Sequence, residues 1–69
     1  MMRFHGVEAK HRLKLILLKE GMTQRELAKQ SGVTESYISL YVRGRMNLST
    51  DQKARIAEAL GVPLKKVFA

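Results

Sequence analysis

Two tetrapeptides, Thr23-Gln24-Arg25-Glu26 and Ser49-Thr50-Asp51-Gln52, each fix the start of a helix and constrain the fold more than any other feature of the sequence. In both, the hydroxyl at the first position can accept from the amide three residues on, while the Glu or Gln there reaches back to the first amide. Two donors that a helix start leaves orphaned are satisfied at once. Glycines supply the matching ends: the first predicted helix, Thr23 to Ser31, stops at Gly32, and the second runs to Leu60 and stops at Gly61. Leu27 is the expected buried anchor of the first, and Ala28 is small enough for a close helix crossing. Gly32 is expected at positive φ, Val33 turns the chain inward, and Thr34 caps a following helix. In the later helix Asp51 stands where the dipole favours a negative charge, and Ala54, Ile56 or Ala57, and Leu60 are the expected buried positions.

The remaining segments are also helical. Val7 to Glu20 contains no Pro or Gly and places Leu13, Ile16, Leu17 and Glu20 on one stripe before Gly21 ends it. Leu15 and Leu18 lie off that stripe: either they touch the C-terminal segment, or they are exposed and offer a contact to another subunit or protein. Arg45 to Leu48 is a loop of ordinary length between helices. Pro63 can occupy the first turn of a last short helix carrying Leu64, Val67 and Phe68. Met1 to Gly6 has no periodicity and is expected to be a flexible arm, with Phe4 able to fold back on the core. The expected fold is all-α, with five helices in a single domain spanning residues 1–69 and neither strands nor repeats.

Sixty-nine residues are near the lower limit for a self-sufficient core. The absence of cysteine excludes disulfides and thiolate metal sites and accords with a reducing cytoplasm. The longest apolar run, Leu15 to Leu18, is too short for a membrane span or a signal-peptide core. Thirteen Lys and Arg against six acids leave a net charge of +7, a field that attracts polyanions, nucleic acid first among them.

The stretch Thr34 to Gly44 shows how such a polyanion could be met. Written as a helix, it turns Ile38, Tyr41 and Val42 to one side and Thr34, Glu35, Ser36, Ser39 and Leu40 to the other. The second side is short, polar and free of Lys, so it can lie close against another surface. It reads as the recognition helix of a helix-turn-helix.

The order Gln24, Ala28, Gly32, Val33, Ile38, Tyr41, flanked by Gly21-Met22-Thr23, Arg43-Gly44-Arg45 and Ala57-Glu58-Ala59-Leu60-Gly61-Val62, closely resembles the lambda-repressor-like family, which includes Cro and the XRE-type bacterial and phage regulators. The resemblance covers roughly Val7 to Phe68. It implies sequence-specific binding to duplex DNA, usually as a homodimer on a near-palindromic operator. It also implies that Leu27, Ala28, Gly32, Val33, Ile38 and Tyr41 form the core of the motif. Thr34, Glu35, Ser36, Ser39 and Leu40 match DNA-facing positions and are expected to read base edges, while Gln24, Arg43 and Arg45 match positions beside phosphates; Tyr37, through its hydroxyl, and Arg25 are expected to join them there. Glu35 either accepts from a cytosine amino group or only serves the helix N-terminus or a nearby cation, and Leu40 either meets a thymine methyl or is a buried rim residue. Many relatives carry an Arg in the first helix and a Glu late in the recognition helix as an ion pair; the matching residues here are Leu17 and Val42.

No catalytic, metal or cofactor site is expected, because His5 and His11 have no acid or nucleophile at a useful spacing. The rival readings keep the fold: an antitoxin or a restriction-modification controller that also binds a protein, through Leu15, Leu18 or Val62 to Phe68. An RNA binder would need an exposed aromatic platform that the sequence does not offer.

Overall fold

Five helices follow in order: α1 (Ala9–Glu20), α2 (Gln24–Ser31), α3 (Glu35–Val42), α4 (Thr50–Leu60) and α5 (Leu64–Phe68). The structure, a computed structural model, describes residues 9–68; the expected arm, Met1 to Gly6, and the predicted first residues of α1, Val7 and Glu8, lie outside that range. Both capping boxes form. Thr23 Oγ1 accepts from the Glu26 amide at 3.0 Å and the Thr23 amide donates to the Glu26 carboxylate at 2.9 Å. Ser49 and Gln52 repeat the exchange at 3.1 and 2.9 Å. The Glu26 carboxyl is held below its ordinary pKa, first by the Thr23 amide and then by the Thr23 hydroxyl.

Thr34 behaves differently from the expectation. It occupies the N-cap of α3, but its hydroxyl makes no capping bond. Its ψ is 135°, against 164° at Thr23 and Ser49, and the start of α3 is closed by backbone alone, the Tyr37 amide donating to the Thr34 carbonyl at 3.0 Å. Pro63 stands just before α5 and its carbonyl accepts from the Lys66 amide, so it precedes the helix instead of entering its first turn.

Each helix contributes one fully buried side chain: Leu13, Leu27, Ile38, Ile56 and Val67. Burying such a residue is worth roughly 1.5 to 3 kcal/mol, and in a domain this small that set supplies much of the driving force. Leu17, Val33, Tyr41, Leu48 and Ala57 complete the interior, with Ile16, Met22, Ala28, Val42, Leu60 and Phe68 packed partly buried around it. Ala54 is exposed, contrary to expectation, because two residues along a helix face different directions and Ile56 and Ala57 set the buried side. Glu20, on the predicted stripe of α1, is exposed as well.

Helix α1 packs on α3 and α5, α2 on α3 and α4, and α4 on α5, so α3 is held from two sides. A long-range hydrogen bond joins α1 to α5: Arg12 Nε donates to the Val67 carbonyl at 3.3 Å. No helix among the described residues is long and apolar enough to cross a membrane.

Candidate nucleic-acid interface

The turn between α2 and α3 is built from three adjoining residues with different tasks. Gly32 adopts φ +75°, the left-handed conformation that turns the chain out of α2, and its amide donates to the Ala28 carbonyl at 2.9 Å. Val33 is buried. Ser31, which sequence reasoning passed over, is the buried polar residue of the turn, and its Oγ accepts from the Val33 amide at 3.2 Å. A serine bonding the amide two residues on is a recognised local habit of that side chain and was the signal available. Gly32 itself is exposed: it belongs to the motif through its backbone and not through burial.

Helix α3 is pinned by Ile38 and Tyr41, with Val42 half-buried beside them. Burial pushes the Tyr41 phenol up in pKa against the opposing field of Arg12, so it stays neutral and belongs to the interior. On the opposite side Thr34, Glu35, Ser36, Tyr37 and Leu40 are exposed and Ser39 is half-buried. Leu40 is therefore a surface side chain and not a buried rim residue.

The exposed residues divide between two shallow openings. Glu35, Ser36, Ser39, Leu40 and Arg43 line one. Thr34 and Tyr37 line the other, with Gly32, Val33, Asp51, Gln52 and Arg55 from the turn and the start of α4. Arg43, expected beside the backbone, shares the opening of the base-reading candidates. Arg55, which no motif singled out, reaches the second opening, where its Nε donates to the Asp51 carboxylate at 2.9 Å.

Gln24 is half-buried as the first residue of α2, and Arg45 is exposed beyond Gly44. Arg25 does not stand apart as a separate cation: its Nε is 3.7 Å from a Glu35 carboxylate oxygen, pairing α2 with α3. Among the described residues no group of His, Asp or Glu is arranged to hold a metal ion.

Leu15 and Leu18 of α1 are 46% and 70% exposed, so both reach the surface. Leu15 and Ile16 also line a small groove with Arg12, Lys19 and Lys66. Within Val62 to Phe68 the pattern is mixed: Val67 is buried, Val62 and Phe68 pack against the core, and Leu64 is the exposed apolar side chain.

Residues 13–67 match the family described as Helix-turn-helix. A hypothetical transcription factor of Neisseria meningitidis serogroup B is 35% identical over 52 residues, which is 75% of this chain and 49% of that protein; the chain thus spans about half the length of this curated relative. The crystal structure of the restriction-modification controller protein C.AhdI from Aeromonas hydrophila superposes with a TM-score of 0.84 at 31% identity, covering 90% of this chain and 94% of that one. The crystal structure of a hypothetical transcription factor from Neisseria superposes with a TM-score of 0.81 at 30% identity, over 88% of this chain and 70% of that one. With the family matched over most of its length and the same fold in solved relatives, this chain belongs to the helix-turn-helix family of the Cro and XRE type.

Proposed function

We propose that the protein is a transcriptional regulator of the cytoplasm that binds duplex DNA in a sequence-specific way, the chain acting as one binding unit with α3 in the major groove. The observation that carries this reading is the face formed by Glu35, Ser36, Ser39, Leu40 and Arg43, an open surface on a helix whose other side is locked by Ile38 and Tyr41. Short side chains let the helix backbone approach the bases, and the net charge of +7 draws the domain to the phosphates. Ser36, Ser39, Glu35 and Leu40, with Thr34 at the helix start, read base edges. Gln24, Tyr37, Arg43 and Arg45 hold the phosphates on either side. The protein works as a repressor, a homodimer placing two copies of α3 in successive turns of a palindromic operator.

Selection of bound sequences from a random duplex pool tests this reading. The expected product is a symmetric motif with half-sites about one helical turn apart. Equal binding to every duplex, or to none, refutes it.

A second reading keeps the DNA site and adds a protein partner, as for a restriction-modification controller or an antitoxin. The exposure of Leu15 and Leu18 on α1, and the likeness to C.AhdI over nearly all of that chain, favour it. A partner bound stoichiometrically, and lost on replacing Leu18 with Glu, would support this reading over the plain homodimer.

A further inference from the structure

Glu35 is the acidic member of the reading face; its companions there are Ser36, Ser39, Leu40 and Arg43. A carboxylate entering a groove walled by phosphates is repelled, and it is tolerated only where a cation offsets it or a base amino group donates to it. The nearest offset comes from another helix. Arg25, the second residue of α2, brings its Nε to 3.7 Å from the carboxylate of Glu35, the first residue of α3, with the two side chains 77% and 49% exposed.

A pair so exposed, beyond hydrogen-bond distance, contributes little to folding. Its consequence is local: it ties the charge of the reading helix to the helix before it. A carboxylate has two oxygens and about four acceptor directions, so a guanidinium on one side leaves others for a base.

From this geometry we infer that Arg25 is a positioning residue for base recognition, and not one more phosphate contact. It holds the Glu35 carboxylate over the major groove and cancels its charge, so that Glu35 accepts from the amino group of a cytosine. The inference rests on the DNA-binding reading above. It differs from that reading in a measurable way, because a phosphate contact acts on all sequences alike whereas a residue acting through Glu35 acts at one base pair.

The test is the binding of wild type, Arg25→Ala, Arg25→Lys, Glu35→Ala, Arg25→Ala/Glu35→Ala and Arg43→Ala to the selected duplex and to its single-base variants at fixed salt. Wild type is expected to prefer cytosine at one position of each half-site. Arg25→Ala and Glu35→Ala should both lose on the order of tenfold discrimination at that position and keep it elsewhere. The double variant should lose no more than either single one, the sign of coupled residues. Arg25→Lys, which keeps the charge, should recover most of the preference, and Arg43→Ala should weaken every duplex by a similar factor. If Arg25→Ala lowers affinity evenly and leaves the cytosine preference intact, Arg25 is a phosphate contact and the inference is overturned. If wild type prefers no sequence at all, the DNA-binding reading falls first and takes this one with it.

Discussion

The rings of Tyr41 and Phe68 lean on each other with centroids 5.7 Å apart and planes inclined at 59°, joining the buried side of α3 to α5. Lys53 of α4 places its ammonium 5.7 Å from the centroid of the same Phe68 ring, so three helices meet at one aromatic side chain. The packing of α3 therefore draws on a residue of α5, away from its exposed side. Replacing Phe68 with Ala should cost about 1 to 3 kcal/mol, less than a fully buried Phe because the ring is half-exposed. Urea unfolding gives the stability. DNA titration should show weaker binding to all sequences with the base preferences unchanged.

Gly32→Ala tests the turn. A Cβ at this position would meet only the Arg55 guanidinium, at an ordinary 3.6 Å, so crowding is not the obstacle. The cost comes from holding a non-glycine residue at φ +75° and should be about 1 to 2 kcal/mol. The urea midpoint should fall while the slope of the transition stays constant.

The Thr23–Glu26 box makes stability depend on pH in a definite direction. The Glu26 carboxyl titrates below its ordinary 4.5 in the folded protein, so the native state favours the ionised form. Its contribution is complete above 4.5 and is lost as pH falls through the lower folded value. Glu26→Gln should remove that part of the acid dependence, leaving a flatter stability curve than wild type below pH 4.5, as read by thermal unfolding at a series of pH values.

Leu17 and Val42 match the positions at which the resemblance to the lambda-repressor-like family implies an ion pair in many members. Leu17 is buried and Val42 packs partly buried against the same core. Leu17→Arg alone should cost about 3 to 5 kcal/mol, because it places an unpartnered charge in the interior. Adding Val42→Glu should restore part of that loss without exceeding wild type, since two desolvated charges seldom outdo a packed apolar pair. Denaturant melts of both variants provide the comparison.

What could be read before the structure follows the range of the forces involved. The starts of α2 and α4 were legible because a capping box is settled within four residues, and Gly32 and Gly61 mark their ends by backbone conformation alone. Leu27, Val33, Ile38 and Tyr41 were legible as interior positions from spacing. Thr34 was misjudged because a modest difference in ψ decides whether a hydroxyl closes on an amide, and residue type does not report ψ. Ala54 was misjudged because its small apolar side chain carries little directional signal beside Ile56 and Ala57. The approach of Arg25 to Glu35, and the separation of Tyr37 from Leu40 into different openings, depend on how α2, α3 and α4 cross. No local pattern encodes that crossing.

The bond from the Val33 amide to Ser31 Oγ has a consequence for how the domain meets its target. Because the corner supplies its own acceptor, the turn between the two helices is closed without a bound partner. Association should then proceed as a rigid encounter, with a heat-capacity change close to that of the contact area alone and no extra contribution from a segment folding on arrival.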